Sequence, residues 1–173
     1  MRMFDVQRVN SHGGSLRIFV CRQDAAYPTR SSVDELDNLE RSLRLDSVET
    51  YINFEKRVNE NRLKLQGLLR GLKKDGHKIA AYGAPAKGNT LLNYMEIGTD
   101  LLEYVVDDSP YKQGLYTPGM HIPVVSSQSL ENNRPDYLFI LAWNFAEQIM
   151  VKCSDFRNKG GRFILPVPEP KII

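Results

Sequence analysis

The chain has 173 residues, of which 42% are hydrophobic and 25% are charged, and its formal net charge at pH 7 is +2. That composition is typical of a globular domain, and the small net charge argues against a nucleic-acid partner. No apolar run approaches the roughly 20 residues of a membrane span, so we expect no membrane partner. The isolated Cys21 and Cys153 predict neither a disulfide framework nor a cysteine metal site, and they fit a reducing cytoplasm.

The first part of the chain predicts one strand and two helices. Residues 16–22 alternate as a strand does, with branched and aromatic side chains. Ser32, with Glu35 behind it, predicts a capping box that opens a helix over residues 33–44. Residues 47–74 predict one long helix with an apolar stripe at coiled-coil-like spacing. That helix either binds a partner or second copy, or packs against its own domain.

A glycine-rich loop is the central feature of the sequence. The loop, GAPAKG at residues 83–88, follows a short apolar run at residues 79–82. A helix-like segment comes next, with Gly98 as its expected stop, and a second apolar run covers residues 101–106. Strand, glycine loop, helix and strand in that order predict half of a nucleotide-binding βαβ unit.

The residues of this loop suit an anion. Its glycines let the backbone approach a ligand closely, and the first turn of the following helix offers free N–H groups. Lys87 adds a positive charge, Asn89 can add a hydrogen bond, and Asp107 and Asp108 follow at the distance of a ribose acceptor. Because Pro85 stands at the middle glycine, the loop is not the usual dinucleotide motif. A tight turn without a ligand is the alternative interpretation.

The C-terminal half continues the alternation of strands and helices. The predicted elements are a strand at 121–125, a helix to 132, a strand at 136–143, a helix over 144–159 and a strand at 162–166. This order predicts an α/β fold: a Rossmann-like, mostly parallel sheet with helices on both faces, preceded by the N-terminal strand and long helix. Ligands of such sheets bind beyond the carboxyl ends of the strands, where Trp143 and Asn144 are expected. Trp143 could stack on a base or pack in the core.

We expect two parts that together form one compact domain. Residues 1–76 are the N-terminal strand and long-helix segment, which packs on the domain. Residues 77–173 are the Rossmann-like nucleotide-binding unit.

His12 is the one histidine with a plausible route to a substrate, because two glycines follow it. Imidazole titrates near neutral pH, so His12 could act as a general base, and a loop histidine without a task is the alternative. His77 and His121 are distant in sequence. No histidine has a cysteine or acid at ligand spacing, so no metal site is expected.

Several motifs occur together in the order found in S-adenosylmethionine-dependent sugar C-methyltransferases. They lie at residues 12–17, 82–89, 91–94, 106–114, 118–119, 121–124, 143–144, 160–164 and 166. The chain therefore resembles the C-terminal domain of these enzymes, which methylate a carbon of dTDP-linked keto-deoxysugars.

The resemblance implies roles for particular residues. His12 would remove the proton α to the ketone of the sugar, and the glycine loop with Lys87 would hold the pyrophosphate of the nucleotide sugar. The loop, the strand ends and the resemblance together give the following substrate-binding residues: Gly83, Ala84, Pro85, Lys87, Gly88, Asn89, Asp107, Asp108, Lys112, Trp143 and Asn144.

Members of that family carry a zinc-binding part and an S-adenosylmethionine-binding domain ahead of this region. The sequence has no cysteine cluster and no second glycine loop, so we expect an acceptor-binding C-terminal piece that works with a separate methyltransferase domain and methylates nothing alone. S-adenosylmethionine would be the cofactor of the full-length family, with none bound by this chain. The alternatives are a stand-alone dinucleotide-binding module, an oligomerisation module that forms a homodimer, and a degenerate domain that only stabilises its partner.

Overall fold

The computed structural model describes residues 1–173. Its contacts divide the chain into two compact units, residues 1–58 and residues 59–173. The boundary lies inside the longest helix, Val48–Lys74. The division that we predict after residue 76 stays a prediction.

The N-terminal unit is a β-hairpin with a helix beside it. β1 (Arg2–Val9) and β2 (Ser15–Cys21) pair antiparallel across a 3-10 turn at Ser11–Gly13, and α1 (Ser31–Ser42) packs against β1. β2 confirms the strand predicted at residues 16–22. The sequence gives no prediction for β1, because charged and polar side chains interrupt its apolar alternation.

The capping box predicted at Ser32 is wrong. Arg30 occupies the N-cap position of α1, and no side chain caps the helix. The Ser32 hydroxyl instead donates to Asp5 Oδ1 at 2.7 Å and accepts from the Val6 N–H at 3.3 Å. Asp5 is only 6% exposed, so its carboxylate needs donors more than the solvated helix end does.

α2 (Val48–Lys74) confirms the predicted long helix. In the second unit its Leu65 and Leu69 are fully buried, so there the helix packs against its own domain. In the first unit its Tyr51 and Phe54 are each 56% exposed. A partner-binding role for that exposed half stays a prediction.

The C-terminal unit is built on a six-stranded sheet in the order β5-β4-β3-β6-β7-β8, parallel except for β8. This sheet confirms the predicted fold class. The strands are β3 (Ile79–Tyr82), β4 (Val105–Val106), β5 (Val124–Val125), β6 (Tyr137–Ile140), β7 (Arg162–Leu165) and β8 (Lys171–Ile172). The helices that follow α2 are α3 (Ala86–Tyr94), α4 (Ser129–Asn132), α5 (Ala146–Lys152) and α6 (Ser154–Asn158).

The two faces of this sheet bury separate cores, because successive residues of a strand point to opposite faces. Ile79 and Ala81 of β3 pack with α2 and α3, whereas Ala80 and Tyr82 pack with α5 and α6. All four residues of β3 are buried, as expected of a central parallel strand. β3 therefore delivers the glycine loop from the middle of the sheet.

Two predicted boundaries around α3 are wrong. Met95, not Gly98, is the C-cap residue of α3. The apolar run at residues 101–106 pairs in the sheet only at its last two residues, and Leu101 and Leu102 fill the core instead. Apolar side chains with no strand partner therefore gave the same sequence signal as a strand.

The helix predicted over residues 144–159 is also wrong in detail. A 3-10 turn at Trp143–Phe145 leads into α5, and Cys153 separates α5 from α6. The last strand, β8, pairs antiparallel with β7 and has no counterpart in the prediction.

Candidate functional site

A crevice of about 260 Å³ lies at the carboxyl ends of β3 and β4 and beside the turn after β6. Ligands of parallel sheets bind at this edge. The crevice is lined by five predicted site residues, Gly83, Pro85, Asp107, Asp108 and Lys112, together with Tyr82 and others. The structure therefore brings these predicted residues to one place.

The two glycines of the loop are required by close packing. Gly83 has φ +88°, and a Cβ atom there would lie 3.1 Å from Ala142 Cβ. A Cβ atom on Gly88 would lie 3.0 Å from Leu141 Cβ and 3.1 Å from Pro85 Cδ. The backbone of the loop thus passes directly over the end of β6.

Three backbone N–H groups at the start of α3 have no hydrogen-bond partner. Pro85 is the N-cap residue, and no side chain caps the helix. The donors on either side are used: the Ala84 N–H donates to Asp107 Oδ2, and the Asn89 N–H donates to the Pro85 carbonyl. The unpaired N–H groups that remain belong to Ala86, Lys87 and Gly88. They form the positive end of the helix dipole.

Asp107 fastens the glycine loop to β4. Its Oδ2 accepts from the Ala84 N–H at 2.7 Å and from Lys112 Nζ at 3.1 Å, and its Oδ1 accepts from the Ser109 N–H at 2.9 Å. Lys112 also donates to the Ala84 carbonyl at 3.1 Å. Burial opposes the charge, but the Ala84, Ser109 and Lys112 donors outweigh it and lower the pKa of Asp107. Asp107 and Lys112 therefore order the loop.

Asp108 belongs to a second polar cluster at the same crevice. The Tyr82 hydroxyl donates to its carboxylate at 2.9 Å and 3.1 Å, and Lys152 Nζ donates to it at 2.5 Å. Burial raises the pKa of Tyr82 to about 12, and the hydrogen bond to Asp108 raises the pKa of Lys152. Tyr82 is thus a neutral donor and Lys152 a cation at neutral pH.

Tyr82 and Lys152 are absent from the sequence prediction. Tyr82 is the last residue of β3, and a polar group at a strand end beside a glycine loop is a signal that could have found it. Lys152 lies 44 residues beyond Asp108 on α5, and no local pattern indicates their contact.

The turn after β6 contacts the first turn of α3. Lys87 Nζ lies 4.9 Å from the centroid of the Trp143 ring, a cation–π contact. Trp143 also packs against the core shared by α2 and α3, so it serves partly as a core residue. Asn144 follows it, and both polar atoms of its amide are buried without a hydrogen-bond partner.

His12 lies in the N-terminal unit, in the turn between β1 and β2. It is exposed and has φ +53° and ψ 28°, a left-handed conformation that is uncommon outside glycine and asparagine. Unusual backbone of this kind often occurs where a side chain has a task. The general-base role of His12 stays a prediction.

The structure places no group of three or more His, Cys, Asp and Glu residues where they could hold a metal ion. None of its helices combines the length and the apolar character that a membrane crossing requires.

The family model of the C-methyltransferase C-terminal domain matches residues 10–168. The chain belongs to this family. It is similar to the C-methyltransferase NovU of Streptomyces niveus, with 37% identity over 173 residues. The alignment covers 100% of the chain but only 41% of that relative, so the chain spans less than half of the relative's length. The resemblance to the C-terminal domain of C-methyltransferases is confirmed.

Proposed function

We propose that this C-methyltransferase C-terminal domain binds the methyl acceptor, a nucleotide-linked keto sugar such as a dTDP-sugar. The observation that carries the proposal is the row of unpaired N–H groups on Ala86, Lys87 and Gly88. A helix N-terminus of this kind binds phosphate groups, because several donors and the helix dipole act on one anion. The pyrophosphate of the acceptor is the group that we assign to it.

The surrounding charges support an anion at this position. The amine of Lys87 contacts the ring of Trp143 and forms no ion pair. The Lys87 side chain can therefore reorient toward a phosphate without breaking an ion pair. The carboxylate of Asp107, which would repel a phosphate, is neutralised by Lys112. Asp108 is likewise paired with Lys152, so neither aspartate near the start of α3 carries an unpaired charge.

S-adenosylmethionine supplies the methyl group in enzymes of this class, and this crevice is a poor fit to that donor. A Rossmann-like site holds an adenosine through an acid that accepts hydrogen bonds from the ribose. Here Asp107 accepts hydrogen bonds from Ala84, Ser109 and Lys112, and Asp108 accepts them from Tyr82 and Lys152. We propose that the donor binds to a different module and that His12, in the complete enzyme, takes the proton α to the ketone.

Calorimetric titration of the chain with dTDP, NAD and S-adenosylmethionine tests the proposal. We expect dTDP to bind, and the other two compounds to show at least tenfold weaker affinity. Lys87→Ala should weaken dTDP binding, whereas Lys78→Ala should not. Lys78 directly precedes β3 and so lies at the opposite edge of the sheet. Preferential binding of NAD would favour a dinucleotide module instead.

A further inference from the structure

The hairpin of β1 and β2 is a separate two-stranded sheet, and only one of its two outer edges is covered. On β1 the Phe4 carbonyl accepts from the Arg30 N–H at 2.9 Å, and the Val6 N–H donates to the Ser32 hydroxyl at 3.3 Å. No backbone group of β2 forms a hydrogen bond beyond the hairpin. The seven residues of Ser15–Cys21 therefore present an open row of backbone donors and acceptors.

β2 has none of the features that usually keep a strand edge from pairing. Proteins place prolines, lysines or bulges on strands that must stay unpaired. β2 contains neither proline nor lysine, and Arg17 is its only charged residue. The one irregularity in the hairpin lies in β1, between Met3 and Asp5. The open edge of β2 is therefore suited to pair with another strand.

One face of β2 also exposes a row of apolar side chains. Leu16, Ile18 and Val20 lie on the same face, because side chains alternate along a strand, and they are 45%, 50% and 51% exposed. α1 packs against β1 and leaves this row half uncovered, with a cavity of about 360 Å³ between α1 and the hairpin beside Leu16. The row lacks a partner within the N-terminal unit.

The sequence of β2 is complementary to itself. When two copies are paired antiparallel about Ile18, Ile18 lies opposite Ile18 of the second copy, and Leu16 lies opposite Val20. On the other face of the sheet Arg17 lies opposite Phe19, which allows a cation–π contact. No like charges are directly opposed in this register, and all seven residues of the strand are paired.

We propose that the outer edge of β2 is an interface between two copies of this chain. The two β2 strands pair antiparallel about Ile18, and the hairpins join into a four-stranded sheet in the order β1-β2-β2-β1. Each copy contributes the same surface, as in other two-fold symmetric dimers. An isolated hairpin is marginally stable, and a wider sheet with a continuous apolar row is more stable. This interface goes beyond the proposed function and does not depend on it.

Sedimentation of the whole chain at concentrations from about 5 to 500 µM tests the association, because the dimer fraction rises with concentration. We expect a reversible dimer of the natural chain. Ile18→Lys places two like charges opposite each other and should keep the chain monomeric at every concentration. Phe54→Lys is the matched control, since Phe54 is 56% exposed on α2, and this variant should dimerise as the natural chain does.

Disulfide trapping tests the register and does not require Ile18→Lys to fold. In a chain that carries Cys21→Ser, Ile18→Cys should form a linked dimer on mild oxidation, because Cα atoms of opposed residues lie roughly 4.5–5.5 Å apart. Leu16→Cys is the control, since its two copies would be about 14 Å apart in this register and should not link. Cys153 is buried and should not react.

Three results would overturn this interface. The first is a natural chain that remains monomeric at the highest concentration. The second is dissociation by Phe54→Lys but not by Ile18→Lys, which would place the contact on α2. The third is equal linking of the Ile18→Cys and Leu16→Cys chains, which would exclude pairing about Ile18.

Discussion

The carboxylate of Asp107 accepts the N–H of Ala84 at 2.7 Å, and this contact joins the end of β4 to the glycine loop after β3. Lys112 closes the connection by donating both to Asp107 and to the Ala84 carbonyl. The acid that sequence patterns assign to a ribose is thus used to shape the loop. The shape of the anion site depends on a residue that need not touch the anion.

Asp107→Ala should destabilise the fold by about 1–3 kcal/mol, because it leaves the buried Ala84 N–H without an acceptor. Urea unfolding gives the free energy directly. Asp37→Ala is the control: Asp37 pairs only with Arg41 on the surface of α1, so it should change stability by less than about 1 kcal/mol. Equal effects of the two substitutions would contradict the role assigned to Asp107.

The contribution of Asp107 to the free energy of unfolding should decrease at low pH. Its pKa in the folded chain lies below the ordinary value of 3.8, so the native state favours the charged carboxylate. That stabilisation is present above pH 3.8 and is lost as the pH falls through the folded pKa. The stability difference between the natural chain and Asp107→Asn should therefore be constant from pH 7 to 5 and shrink below pH 4. A difference that grows with acidity would refute this assignment.

The glycines of the loop and of α2 should respond oppositely to alanine. Gly83→Ala should destabilise by at least about 1 kcal/mol, because φ is +88° and Ala142 Cβ is 3.1 Å from the added methyl. Gly71→Ala should stabilise by up to about 1 kcal/mol, because Gly71 lies inside a helix and its added methyl meets nothing within 4 Å. Chemical denaturation of both variants checks the contrast. If Gly83→Ala unfolded with the same free energy as the natural chain, glycine would not be required at this tight turn.

The elements that sequence reasoning found are those with strong local signals. The apolar run at residues 79–82 and the spacing of Leu65 and Leu69 in α2 are visible in any short window of the sequence. β8 escaped prediction because two residues carry no periodicity, and it forms only by pairing with β7. β8 therefore depends on a tertiary contact that no local sequence pattern indicates.

Prediction of the candidate site from the sequence is limited in the same way, because local patterns do not indicate contacts between distant residues. The sequence alone places Asp107 and Asp108 at the end of a strand, and both line the crevice. Their partners were not predictable, because Lys152 and Ala84 approach them through the folded sheet. Hydrogen bonds between distant residues determine whether an acid serves the ligand or the loop.

His12 offers the sharpest test of the proposed chemistry. Asparagine tolerates the left-handed backbone of His12, with φ +53°, and cannot act as a general base at neutral pH. In a complete C-methyltransferase, His12→Asn should lower turnover about 10²–10⁴-fold, the usual contribution of a general base, and leave dTDP affinity unchanged. His121 also has a left-handed φ of +51°, so His121→Asn makes the same side-chain substitution, in a similar backbone conformation, at a histidine that has no assigned role. Turnover of His12→Asn within a few-fold of His121→Asn would remove His12 from the mechanism.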